Sequence, residues 1–247
     1  MPIRIRITIP ANKHPGEAQN VRKNADILPR RSCGAAIFWE DGMGKTNYEL
    51  TLERMPAEFL KYDQRRMIDG FHLEHDAAYL YIPFLARRYR VSRQDGTVEW
   101  TENGTDFFPG GFNDSMTIYD LLCCAKEKRS LSGRFCRAKN LPGAAYGADP
   151  AKGMMDPFAA LCDRAPEKLA RACRELGGVD LNMGEISFRL PLFDFLPVIV
   201  QFWSSDEEFP PVFKLMWDEN TLQYLKFETV CYAEIFLTKR LQAKMEA

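Results

Sequence analysis

An α+β fold, with a mainly antiparallel sheet packed by helices in a single domain, follows from three features of the sequence. Two hairpin dipeptides, Asp95-Gly96 and Asn103-Gly104, punctuate short apolar and polar alternations that begin at Ala78, which is the pattern of a β-meander. Two apolar runs, Val198 to Trp203 and Val212 to Trp217, flank a short polar loop and predict a C-terminal hairpin. Helix-period segments follow the strands without regular βαβ alternation, which argues against a parallel, doubly wound sheet.

Residues 1–45 read as an irregular N-terminal extension, with short strands at Ile3 to Ile9 and Ala35 to Trp39, and residues 46–247 as the α+β domain. Thr46-Asn-Tyr-Glu49 has the spacing of a capping box and opens a helix toward Tyr62, with Pro56 as its expected break or kink. After the meander, Asp114 or Ser115 caps a helix from Met116 to Lys128 whose stripe is Tyr119, Leu122 and Cys123. Two helices fit Pro157 to Asp163 and Pro166 to Leu176, the second stopped by Gly177-Gly178. Ile186 to Leu190 alternates as a half-exposed strand, whereas Val198 to Trp203 is apolar enough to be covered on both faces. A helix from Thr221 to Lys244 carries Phe227, Val230, Cys231, Leu237 and Leu241 on the face that docks onto the sheet.

Composition restricts the function classes. A formal net charge of -1 creates no global field toward nucleic acid, so no nucleic-acid partner is expected. The basic stretch Arg87 to Arg93 alternates with Tyr89 and Val91, as on the solvent face of a strand. No run reaches the ~18 apolar residues of a membrane span, and MPIRIRITIP lacks a signal-peptide core, so a cytoplasmic location is expected. The 7 cysteines form no CxxC pair, and read as free thiols that pack as small hydrophobes. Cys123 and Cys124, adjacent on a helix, point about 100° apart and are poorly placed to chelate one ion.

Four segments resemble chemistry-bearing motifs. Gly42-Met-Gly44-Lys45-Thr46 ends like a phosphate-binding loop, but Trp39 stands where the first glycine must curl the backbone. His72-Leu-Glu74-His75 offers low-probability metal ligands: on a strand His72 and Glu74 share a face, on a helix His72 and His75 do. Gly110, Gly111, Asn113 and Ser115 lead into a helix N-terminus where backbone N–H groups favour an anion, although Asp114 opposes one. The loop after Trp203 carries Asp206, Glu207 and Glu208, then Phe209 as a fold-back anchor and two prolines. Three adjacent carboxylates repel one another, which a surface loop or a bound cation tolerates. The simpler reading has one of them accept local backbone N–H bonds.

The run Leu192 to Pro210, followed by Leu215-Met-Trp-Asp218 and Tyr224-Leu225-Lys-Phe-Glu228, resembles the C-terminal signature of the family catalogued as domain of unknown function 3786. Weaker agreement runs through Leu131-Ser-Gly133-Arg-Phe135 and Leu176-Gly-Gly178, and Trp217 stands where the family more often has Phe. The resemblance covers Asn47 to Leu241 and implies a bacterial or archaeal protein, common in anaerobes, with no established activity. Some family members carry an added iron–sulfur module of the type seen in corrinoid proteins, whose cysteines this chain lacks. It leaves the cofactor and the partner unknown. The resulting expectation is a small-ligand or protein-binding accessory protein of anaerobic metabolism, with the acidic loop and the glycine turn bordering one pocket or interface. The alternative is a metal-assisted hydrolase using Asp206 and Glu208 with His72.

Overall fold

The computed structural model describes residues 46–144 and 155–247. The strands expected near Ile3 and Ala35, the phosphate-loop-like glycines and Cys33 lie outside the described residues. Thr46 closes the capping box with Glu49 and starts α1 (Asn47–Phe59). Pro56 does not interrupt that helix, which runs on through it to Phe59. A second short helix, α2 (Gln64–Phe71), begins where the Asp63 carboxylate accepts the Arg65 and Arg66 N–H groups.

The meander forms as expected, as β1 (Glu74–His75), β2 (Tyr79–Phe84), β3 (Arg87–Ser92), β4 (Val98–Thr101) and β5 (Phe108–Pro109), each antiparallel to the next. Gly96 and Gly104 both take positive φ, as their hairpin dipeptides require. The β2–β3 turn gives no such signal. It consists of Leu85 and Ala86, with φ 47° and 58°, a conformation strained for residues with a Cβ. Tertiary contacts hold it: Leu85 is buried and donates its N–H to the Leu192 carbonyl on the other sheet.

The helix α3 (Phe112–Cys124) starts four residues before its expected position. Gly111, in extended conformation, is the N-cap, so Asp114 and Ser115 lie in the first turn, not ahead of it. After β6 (Phe135–Cys136), α4 (Asp156–Arg164) and α5 (Pro166–Glu175) come β7 (Val179–Asp180), β8 (Ile186–Phe193), β9 (Leu196–Trp203) and β10 (Val212–Asp218). These strands make a second antiparallel sheet in the order β6-β10-β9-β8-β7. Residues 221–223 form a single 3-10 turn, and the last helix, α6 (Phe227–Glu246), begins six residues later than the sequence suggests.

The meander and the C-terminal hairpin therefore belong to separate sheets within one α+β fold. An aromatic seam joins them: Phe84 of β2 stacks on Phe193 of β8 at 4.6 Å between centroids and meets Phe236 of α6 at 4.9 Å. Each such pair is worth roughly 0.5–1.5 kcal/mol beyond its buried area. Phe195 extends the seam to Phe71 of α2 and Tyr224. Helix α6 packs against α3 and α5, so its apolar face is consumed by the core. No helix among the described residues is long and apolar enough to cross a membrane.

Candidate functional site

The acidic loop between β9 and β10 is built as a closed turn. One oxygen of Asp206 accepts the N–H groups of Glu208 and Phe209 at 2.8 and 2.7 Å, and Asp206 N–H returns to the Phe209 carbonyl. The approach to the turn is also tied down. Ser204 N–H reaches Glu185 at 2.7 Å, and Ser205 gives both its N–H and its hydroxyl to Asp163 of α4. The hydroxyl and then the N–H of Ser205 hold the Asp163 carboxyl below the ordinary carboxylate range. Glu207 and Glu208 are exposed, and Phe209 is 64% exposed, so the expected anchor does not fold back. Trp203 stays half-buried, with the Lys214 ammonium 4.5 Å from its ring centroid.

The glycine turn is equally occupied. Gly110 N–H bonds to the Val98 carbonyl, and a Cβ on Gly110 would come within 2.3 Å of Ser115 Oγ, so only glycine fits beside the buried serine. Asn113 is half-buried and its carbonyl accepts the Thr117 hydroxyl. Asp114 is 3% exposed and accepts the Tyr89 hydroxyl at 2.8 Å. Burial raises its pKa, against the hydrogen bond from Tyr89 and the amides of the first turn, and the Tyr89 phenol is pushed far up by burial and by Asp114. The glycine turn follows the last strand of the first sheet, and the acidic loop joins two strands of the second.

His72 caps α2 in left-handed conformation, Glu74 and His75 follow in β1, and all three side chains are exposed. Glu74 is paired with Arg88 at 2.7 Å and His75 Nδ1 lies 3.1 Å from its neighbour's carbonyl, Leu73 O. Among the described residues no group of three His, Cys, Asp or Glu side chains is arranged to hold a metal ion. His72 ends α2 just ahead of the first sheet, and Glu208 lies in the loop between two strands of the second.

The structure instead opens a crevice of about 950 Å³ that the sequence did not indicate. Its walls are α1, the near face of α3 and the start of α6, with Tyr48, Phe112 and Tyr232 forming an edge-to-face aromatic side at 4.9 and 5.1 Å. Asp120, Cys123, Cys124 and Lys226 also line it. Asp120, with a 6% exposed side chain, accepts the Lys226 backbone N–H at 2.7 Å and so supplies from α3 the cap that α6 lacks in its own sequence. The Lys226 ammonium stands 3.3 Å from the other Asp120 oxygen. The Cys124 contact first, and the Asp120 charge against partial burial, keep that ammonium above the ordinary lysine range. Cys124 and then Cys123 raise the phenol of Tyr62, which closes one end of the crevice. A smaller depression of about 670 Å³, lined by α2 and Arg129, adjoins it through Tyr62 and Cys123.

The one sequence signal for this site is the pair Cys123-Cys124. Lys226 and Asp120 come together across 106 residues of chain, a separation that no local pattern encodes.

The fold is thus that of an α+β protein with two antiparallel sheets and a helix-walled crevice. The family model described as domain of unknown function (DUF3786) matches residues 63–240, most of the chain, and the protein belongs to that family. No curated protein and no solved structure matches it significantly. The signature residues that carried the resemblance have structural work in this fold. Asp218 receives the N–H groups of Ser132, Gly133 and Asn220 and the Ser132 hydroxyl, while Trp217 Nε1 donates to the buried Glu234 at 2.8 Å.

Proposed function

We propose that the protein is a binding protein of the reducing, anaerobic setting its family resemblance implies, and that its small ligand occupies the crevice between α1, α3 and α6. The observation that carries this reading is the crevice itself, about 950 Å³ with an aromatic wall and one ammonium among its lining groups. That size falls within the ordinary range of small-molecule sites, and apolar walls with few polar groups are how such sites combine affinity with orientation. The acidic loop supports a hydrolase less well, because Asp206 is already committed to two backbone N–H bonds. Free thiols at Cys123 and Cys124 suit a compartment that keeps them reduced.

The test is a thermal-shift screen of the full chain against phosphate esters, carboxylic acids and aromatic acids, repeated on Tyr232→Ala. A stabilising compound at 100-fold excess over its Kd raises stability by about 2.7 kcal/mol. The reading requires at least one hit that is weakened by Tyr232→Ala. Hits that ignore this substitution, or no hit in the screen, defeat it.

A further inference from the structure

We propose that Arg87, Arg240 and Lys244 form a second site, for a free tetrahedral oxyanion of the phosphate class, and that Glu102 is the internal stand-in which that anion displaces. The site is separate from the crevice. None of these four residues lines the crevice, and Arg240 lies roughly 20 Å along α6 from Lys226, at a rise of about 1.5 Å per residue.

Three cations converge on one carboxylate. Arg87 Nε and Arg240 Nη1 both donate to the same Glu102 oxygen, at 3.0 and 2.8 Å, and Lys244 Nζ stands 3.8 Å from the other. Positive charge is left in excess, because Glu175, 3.9 Å from Lys244, is shared with Arg171, and Asp114 is committed to the Tyr89 hydroxyl. Arg240 is also short of acceptors. It is 5% exposed, its Nε is buried with no acceptor among the described residues, and its Nη2 reaches the Leu85 carbonyl only at 3.5 Å. A buried donor on a charged group is costly to leave unmet, so this one points to a partner from outside the chain. Burial, and then the Arg87 charge, depress the Arg240 guanidinium against the pull of Glu102, which is the mark of a cation in need of more negative charge.

The cations are held in place while the carboxylate is free to yield. Arg87, at the start of β3, lies on the Trp100 ring, 3.3 Å from its centroid, and Arg240 and Lys244 are one turn apart on α6 and share a face. Glu102 follows β4 in the hairpin loop with its side chain 40% exposed, so it can give up its place without unpacking the core. A carboxylic acid would only repeat what Glu102 supplies. Phosphate brings more acceptor oxygens and more charge at neutral pH, which suits arginine forks and a lysine acting on one anion.

The experiment follows the melting temperature of the full-length protein against inorganic phosphate at neutral pH, with chloride at matched ionic strength as the control. Phosphate should raise it in a saturating way that chloride does not, and the dependence gives a Kd. Lys244→Met removes a cation that is 27% exposed and outside the core contacts of Arg240, and should weaken that Kd by about threefold to tenfold. Glu102→Gln should lower the melting temperature in chloride, since it takes away the internal partner, and tighten phosphate by about threefold to tenfold. An ion-pair hub with a structural role alone gives the first of these effects without the second. Tyr232→Ala, in the crevice wall, should leave the phosphate Kd unchanged, so this site and the crevice fail separately. Equal melting curves in phosphate and chloride, a Kd indifferent to Lys244→Met, a Kd not tightened by Glu102→Gln, or phosphate binding lost in Tyr232→Ala overturns the proposal.

Discussion

Strand β10 begins and ends beside an aspartate, and the two do opposite kinds of work. Asp206, in the loop that leads into the strand, is exposed and bonds only within its own turn, to N–H groups two and three residues away. Asp218, its last residue, is fully buried and gathers the Ser132 and Gly133 N–H groups from 86 and 85 residues away, besides its near neighbour Asn220. The first caught attention in the sequence because two more acids follow it. The second, with one neighbouring acid in an otherwise unremarkable stretch, pins the chain between α3 and β6 to the second sheet. A conspicuous cluster of charge here marks solvent, while a single charge with several donors marks the tertiary structure.

This contrast can be broken most forcefully at Asp218. Asp218→Ala strands four donors and should cost about 3–5 kcal/mol in urea unfolding; a loss below about 1 kcal/mol would make the two aspartates equivalent. Gly133→Ala should cost about 1–2 kcal/mol, because Gly133 donates to Asp218 from φ 74°, a conformation that an added Cβ strains. Asp206→Ala removes two hydrogen bonds that water can replace on an exposed turn, and about 0.5–1 kcal/mol is expected. Glu207→Gln and Glu208→Gln should fall within about 0.5 kcal/mol of the parent in the same titration.

A third acid sharpens the comparison through pH. Asp114 is buried as Asp218 is, but burial raises its pKa despite the Tyr89 hydroxyl and the nearby amides. A carboxyl whose folded pKa lies above its unfolded value contributes stability at low pH that is lost as pH rises through the folded pKa. Asp114→Asn keeps an oxygen for Tyr89, so its stability relative to the parent should improve on going from about pH 4 to about pH 7. An unchanged difference across that range would place the Asp114 charge at no cost.

Much of the fold was legible locally. The capping box at Thr46, the hairpin glycines 96 and 104 and the apolar strands β9 and β10 formed where their chemistry puts them. The misreadings share a cause. Asp114 and Ser115 resemble caps, yet Gly111 takes the cap because Ser115 is needed in the space beside Gly110 and Asp114 is needed by Tyr89. The Leu85-Ala86 turn carries no turn residue, since burial of Leu85 and its bond to Leu192 outweigh the local strain. Asp120, which sits in no local motif, accepts the first N–H of another helix.

By itself the sequence determined the fold class, the family and most of the strand-and-helix order, because hydrophobic period, caps and turns act over a few residues. Only the tertiary structure decided that the meander and the hairpin form separate sheets. It alone set Asp218 against Ser132 and Gly133, and Asp120 against the start of α6. Those juxtapositions depend on how the aromatic seam and α6 bring the two sheets together, and packing of that kind joins residues whose spacing along the chain carries no signal.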